Sequence, residues 1–394
     1  MRVFYLSLAC LLLFSCNEPK PLSIRVENPT NQDRVSEMVE VPLKEIYDQL
    51  GVSDFNQLMV VDEQGEPKSF QLTYDGKLIF PADVPGGSVS TYQVVKGTPQ
   101  PVDTLVLGRH YPERLDDIAW ENDVIAFRTY GPAFEEKGNL GFGYDVWVKS
   151  VSYPVVEERY RKDLQESVSY HVDHGDGLDC YSVGPTLGAG ANALLHNGSI
   201  VYPKSYASYE ILDNGPLRFT LRLTFQPFAL DSAEEVVEHR TITLDRGSFL
   251  NHTSVYYENL KEPSAILAGL VMHHPHNDLY ILDEDKGYIA YADPTEDSSG
   301  KNGEIFVGLS FPKEGVKTEV RPLTEPEKQI GDKKILGHLV GIGTVKPGDR
   351  FTYYWGAAWS KANFKDLDAW GTHLEQFTHQ KRHPLKVTLS LSKE

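Results

Sequence analysis

The chain has 394 residues, 40% of them hydrophobic and 24% charged, and a formal net charge of −18 at pH 7. A protein this acidic repels phosphate backbones, which excludes nucleic acid as a partner and argues against a broad basic groove for heavily sulfated polymers; a few local cations remain able to hold one carboxylate or one sulfate. Two of the three cysteines lie within the first sixteen residues, so Cys180 stands alone in the remainder and no intramolecular disulfide is available.

The N-terminus opens with Arg2 and an apolar run over residues 3–14. That run is too short for a bilayer span, which needs roughly 20 residues, and suits the core of a signal peptide. It ends Leu13-Phe-Ser-Cys16 and reads as a bacterial lipoprotein signal over residues 1–15, with an ordinary signal peptide as the alternative. Cleavage leaves Cys16 as the lipidated N-terminus and residues 16–22 as a tether. The expected location is the cell envelope, at the outer membrane on its periplasmic face or at the cell surface, with the membrane as a partner through the lipid.

Residues 23–100 carry strand patterns at 22–26, 69–74 and 90–95, and a short helix whose Leu43, Ile46, Tyr47 and Leu50 share one face. Pro99 and Pro101 then break the pattern. This segment is either a small sandwich or the opening strands of one large sheet system, and the second reading is preferred. Residues 101–394 form the main catalytic unit. Period-two alternation runs through 217–225, 240–244, 254–257 and 386–392, with turn signals between. The fold class is therefore mainly β, a large antiparallel β-sandwich with a few short helices. One such helix carries Phe364, Leu367, Trp370, Leu374 and Phe377 on its apolar side.

Five clusters carry chemistry. If 119–129 is one extended strand, Trp120, Val124, Ala126 and Arg128 share a face, and Arg128 at its end is placed to grip a carboxylate in two-pronged fashion. Asp145, Trp147 and Lys149 alternate onto one face, where an indole stacks a sugar ring and a cation meets its carboxylate. The run 170–190 gathers His171, Asp173, His174, Asp176, Asp179 and Tyr181 ahead of a glycine-rich turn, a density of titratable groups that suits a cleft better than a core. Cys180 beside Asp179 is read as packed and inert, because neighbouring carboxylates raise a thiol pKa. His273, His274 and His276 offer one acid/base histidine more readily than a zinc site, since no second cluster at metal spacing exists. Tyr353, Tyr354, Trp355 and Trp359 are core or a second sugar-stacking wall.

Three of these stretches carry a resemblance: Asp117-Ile-Ala-Trp-Glu-Asn-Asp-Val-Ile-Ala-Phe-Arg-Thr-Tyr-Gly131, Asp145-Val-Trp-Val-Lys149, and His174-Gly-Asp-Gly-Leu-Asp-Cys-Tyr-Ser-Val-Gly184 with Leu187-Gly-Ala-Gly190. Together they resemble a family of Bacteroidota lipoproteins from polysaccharide-utilisation loci, long described only as a domain of unknown function. The resemblance covers most of the chain. It implies a supersandwich scaffold akin to those of polysaccharide lyases and work on uronate-containing glycans, including removal of water from the terminal uronate of ulvan oligosaccharides.

The residues allow that chemistry. β-Elimination needs a cation or hydrogen-bond donor on the uronate carboxylate, a base at C5 and an acid at C4. Arg128 or Lys149 serves as the cation, His174 or His273 as the base, and Tyr181 or the other histidine as the acid. Trp147, Asp176, Asp179, His274 and Trp355 are the expected substrate contacts. The expected product is a 4,5-unsaturated sugar, by loss of water (a dehydratase) or by cleavage of the uronate glycosidic bond (a lyase). A glycoside hydrolase using Asp176 and Asp179, and a non-catalytic glycan-binding lipoprotein, are the rivals. The reading assigns no cofactor and no metal, with calcium at Asp173, Asp176 and Asp179 as the alternative.

Overall fold

The computed structural model describes residues 21–50, 57–230, 234–274, 279–295, 299–331 and 334–391. The expected signal segment over residues 1–15, Cys16 and His276 lie outside the described residues. Among those described, no helix is long and apolar enough to cross a membrane.

Leu22, Ile24 and Val26 alternate inward along the strand Leu22–Glu27 and are fully buried. That strand pairs with Val89–Lys96 on one side and with the C-terminal strand Lys386–Leu391 on the other. A second small sheet, Arg34–Pro42, Lys77–Val84 and Gln71–Leu72, packs against it. The two sheets and the helix Leu43–Leu50 share a hydrophobic core of their own. Of the strand expected at 69–74, only Gln71–Leu72 is in a sheet. The C-terminal strand, expected in the main unit, closes this small sandwich instead.

The main body is a mainly β sandwich. One layer is an eight-stranded antiparallel sheet in the order Tyr206–Asn214, Arg218–Phe225, Val237–Asp245, Leu250–Glu258, Arg350–Trp359, Ile305–Ser310, Tyr288–Asp293, Tyr280–Asp283. The facing layer consists of two five-stranded sheets. The first runs Gly177–Asp179, Tyr144–Lys149, Ile125–Thr129, Asp117–Glu121, Leu107–Tyr111. The second runs Ser199–Val201, Ala189–His196, Ser264–Met272, Gly337–Val345, Lys317–Pro322. A parallel bridge between Tyr144 and Gly188 joins them. Gly190 lies at φ +133°, and a Cβ there would meet the Cβ of Trp355 at 2.5 Å, so the junction requires glycine.

Inward-facing residues of both layers build one large core that includes Trp120, Phe219 and Trp355. Each layer is also covered outside. The helix Leu367–Arg382 lays Trp370 and Leu374 on one part of the eight-stranded sheet. The helix Val156–Glu166 and Tyr170 cover the outer face of the first five-stranded sheet. Glu121 anchors that helix by accepting from the backbone N–H groups of Val155 and Val156.

Residues 119–129 are not one strand. Asn122 accepts from the backbone N–H groups of Val124 and Ile125 and turns the chain into a hairpin. Phe127 pairs opposite Trp120, and both enter the core, whereas Ala126 and Arg128 face the covering helix.

Candidate acid/base site

Two buried polar clusters meet at Tyr181. The first centres on Arg128, which projects from the outer face of its strand. Its guanidinium donates to Asp145 Oδ2, to Asp179 Oδ2 at 2.9 Å and to the hydroxyl of Tyr170 at 3.4 Å, with Asp117 Oδ2 at 3.7 Å. Burial opposes the Arg128 charge, yet the Asp145 carboxylate and its neighbours outweigh it and hold the pKa well above the usual value. Burial pushes Asp117 up to about 6 against the pull of Arg128 and Arg114. Within this cluster only Arg128 Nε and Asp117 Oδ1 lack a hydrogen bond among the described residues.

The second cluster lies where the strands Ser264–Met272 and Tyr288–Asp293 end. The Tyr291 hydroxyl accepts from the backbone N–H groups of His273 and His274, at 3.1 and 3.2 Å, and fixes the turn after the strand. His273 Nδ1 lies 2.7 Å from Asp293 Oδ2, and Asp293 Oδ1 accepts from the backbone of Thr295 at 2.9 Å. A carboxylate only accepts, so Nδ1 carries a proton, and in the neutral ring Nε2 presents its lone pair. That Nε2 is buried and has no partner among the described residues.

Tyr181 stands edge-on to His273, with ring centroids 6.3 Å apart and planes at 81°. Its hydroxyl is also buried without a partner among the described residues. Burial, followed by the charges of Asp293, Tyr291 and Asp145, keeps its pKa well above the usual value. Tyr181 thus feels a carboxylate from each cluster and keeps its proton. A histidine oriented by a carboxylate, beside a protonated phenol, has the make-up of a candidate base–acid pair.

Arg128 and Asp179 lie in the first cluster and Tyr181 and His273 in the second, and it is the expected roles of Arg128 and Asp179 that change. Arg128 is buried with its terminal nitrogens held by carboxylates, so it is closed to a substrate. Asp179 belongs to that same sealed cluster. Several expectations are corrected. Lys149 is 1% exposed, donating to Glu121 at 2.7 Å and to the Asn122 carbonyl at 2.6 Å, so it meets no substrate. Trp147 is closed off by Tyr170, stacked at 4.6 Å, and its indole N–H donates to Asp145. Trp355 is fully buried, stacked on Tyr144 at 4.0 Å and bonded to Thr253 Oγ1. Neither indole has an open face for a sugar.

His174 is exposed on the loop, its Nε2 3.1 Å from the Ser169 carbonyl. Asp176 pairs with Arg159 at 3.2 Å and pins the loop to the covering helix. Asp173 accepts from the backbone of Gly175 and Gly177. Asp173, Asp176 and Asp179 thus point to three different partners, and the calcium reading falls with that divergence; among the described residues no three His, Cys, Asp or Glu side chains are grouped to hold a metal ion. Cys180 is buried. His274 is exposed beside the acid/base pair and is the one expected substrate contact at its edge.

Asp293 went unread in the sequence. It is the distant partner of His273, and only the Asp-Pro step that ends its strand marks it.

The fold and site define a mainly β sandwich protein with a buried histidine–aspartate pair facing a buried tyrosine. Residues 26–387 match the family described as a domain of unknown function (DUF4861), and the chain belongs to that family. An uncharacterized protein, P7, of Formosa agariphila is 26% identical over 408 residues and is covered, like this chain, over 98% of its length. A glycosyl hydrolase family 38 protein of Enterococcus faecalis superposes with a TM-score of 0.49 at 9% identity, over 95% of this chain and 48% of its own. An α-mannosidase of E. faecalis gives 0.48 at 8% identity, over 94% and 46%. The chain spans about half the length of those two structures.

Proposed function

We propose that the protein is a carbohydrate-active enzyme that removes water from the terminal uronate of an oligosaccharide of the ulvan type. The observation that carries this reading is the pair of unmade hydrogen bonds at His273 Nε2 and Tyr181 Oη. In the reaction His273 takes the C5 proton, whose C–H electrons become the C4–C5 double bond. The C4–O bond breaks, and the leaving hydroxyl takes the Tyr181 proton and departs as water. The proton then on His273 returns to Tyr181 through solvent. Asp293 steadies the imidazolium that forms between these steps. Arg128 acts at one remove, bonding Asp145 and Asp179 and holding them in place.

The test is turnover of uronate-terminated ulvan oligosaccharides, followed by absorbance near the ultraviolet edge together with product mass. New absorbance with loss of one water from an intact chain is expected. Absorbance with chain cleavage would make the enzyme a lyase, and product without absorbance would make it a hydrolase. The same proposal has Cys16 acylated and the protein tethered to the cell envelope. Labelled palmitate should enter the wild type and not Cys16→Ser; equal labelling would refute the anchor.

A further inference from the structure

The outer face of the eight-stranded sheet is only partly covered. Between it, the small N-terminal sandwich and the helix Leu367–Arg382 lies a cleft of about 1200 Å³. It lies on the opposite face of the sheet from the acid/base pair, because Asp293 and Tyr291 point inward while this cleft is lined by outward-facing residues.

Strand register gives the cleft a regular floor. His239, Tyr256 and Arg350 stand opposite one another on three adjacent strands, as do Thr243, His252 and Tyr354; Thr241 and Ser254 pair between the two rows. These side chains are polar, aromatic or both, where an ordinary covered sheet face would be aliphatic. Two cations lie over tyrosine rings, Arg350 at 5.5 Å from the Tyr256 ring centroid and Lys381 at 6.0 Å from that of Tyr354. Among the described residues no carboxylate pairs with Arg350. Lys381 shares its carboxylate, Glu37, with Arg34. Both positions therefore have positive charge to spare, in a chain of net charge −18. On the helix side, His373 Nε2 is buried without a hydrogen-bond partner among the described residues. Burial lowers His252 and His373 to about 4, so both rings are neutral acceptors or donors at neutral pH.

We infer that this cleft is a second binding site, for an acidic oligosaccharide. Arg350 and Lys381 take its carboxylate or sulfate groups, Tyr256 and Tyr354 present ring surface to the sugars, and Thr241, Thr243 and Ser254 meet their hydroxyls. An acidic glycan fits better than an acidic peptide because the floor, built from inner strands of the sheet, offers rows of hydroxyls and aromatic rings. The inference rests on the carbohydrate reading above and adds a site remote from the chemistry.

Calorimetric titration of the whole protein tests it with three probes: a galacturonate hexasaccharide carrying carboxylates alone, a sulfated ulvan hexasaccharide, and neutral cellohexaose. Binding of an acidic probe, weakened at least tenfold in the Arg350→Ala and Tyr256→Ala proteins and by added salt, is expected. His273→Ala should leave that binding unchanged. The carboxylate-only probe shows whether sulfate is required. Equal binding by the Arg350→Ala protein, equal binding of cellohexaose, or no binding of any probe would overturn the site. Failure of the cleft variants to alter binding, with turnover still lost in His273→Ala, would refute this inference and spare the proposed reaction. Loss of binding with no turnover of any substrate would do the reverse. Arg350 is exposed and unpaired, so its variant folds, and a thermal melt checks the Tyr256 variant.

Discussion

The Arg128 cluster and the His273–Tyr181 pair are neighbours of similar burial, each with two unbonded polar atoms, and they differ in how far their charges are already paired. Around Arg128 the charges are spent on one another: the guanidinium bonds to Asp145 and Asp179, and Trp147 closes over them. At His273 and Tyr181, two strong polar atoms stay unbonded in the same kind of interior. A buried polar atom without a partner costs about 1–3 kcal/mol, so a protein that keeps two side by side holds them ready for something else. On the proposed reading, charge that is already paired is scaffolding, even where Arg128 Nε and Asp117 Oδ1 stay unbonded within it, and the unbonded histidine and tyrosine carry the chemistry.

Removing Arg128 tests the first half of the contrast and should have the largest effect. Arg128→Met leaves Asp145 and Asp179 buried without their cation, and breaking such a pair costs roughly 3–5 kcal/mol. Denaturant unfolding should show that loss, with turnover falling because the fold around Tyr181 loosens. A stable Arg128→Met protein that had merely lost affinity for acidic substrates would make Arg128 a substrate contact after all.

The second half predicts loss of activity with the fold intact. His273→Ala and Tyr181→Phe should each lower turnover by about 10²–10⁴, the range for one general acid or base. Tyr181→Phe should also stabilise the protein by about 1 kcal/mol, because it deletes a buried hydroxyl that bonds to nothing. Unchanged turnover in Tyr181→Phe would remove it from the reaction, and a clear drop in stability would reveal a partner for its hydroxyl.

The pH dependence of stability isolates the sealed cluster from a buried histidine outside both clusters, His338, whose Nε2 accepts from the backbone N–H of Leu187. Asp117 sits in the sealed cluster at about 6, above its ordinary 3.8. The folded chain therefore holds its proton more tightly than the unfolded chain. Its contribution is fully present below 3.8 and is lost as pH rises through 6, at up to about 1.4 kcal/mol per pH unit. His338 runs the other way. Burial lowers it from 6.5 to about 4, so its contribution is present above 6.5 and lost on acidification toward 4. Comparing Asp117→Asn with the wild type cancels the histidine. Between pH 4 and 6 the variant's stability should fall less, or rise more, with increasing pH, and coincident curves would show that Asp117 titrates normally.

How much of this was legible in the sequence follows from what alternation encodes. Period two marks strands, and it located 217–225 and 90–95 as Arg218–Phe225 and Val89–Lys96. It also placed Asp145, Trp147 and Lys149 on one face correctly. It does not say what lies on top of a face. The helix Val156–Glu166 went unread, and because that helix covers the sheet, side chains read as open to substrate are sealed. Trp120 and Arg128 were assigned one face because the turn at Asn122 carries no glycine or proline to announce it. Asp293 was beyond reach for another reason: pairing across a sandwich is a long-range fact, and nothing near Asp293 points to His273.

His174 gives the smallest expected effect and the sharpest check on the role of the loop. It was the leading histidine of the sequence because it sits in the densest run of titratable groups. In the fold that density is dispersed: His171 Nδ1 lies 3.0 Å from the Asp179 carbonyl, Asp173 holds a turn, Asp176 holds Arg159, and His174 reaches only the Ser169 carbonyl. An exposed ring with one such bond contributes little, so His174→Ala should change stability by less than about 0.5 kcal/mol. Turnover should stay within about twofold of wild type, far from the 10²–10⁴ expected of an acid or base. A loss on that larger scale, with the melting temperature unmoved, would mean that the loop closes over substrate and carries His174 to the reacting sugar, and the base would have to be chosen anew between His174 and His273.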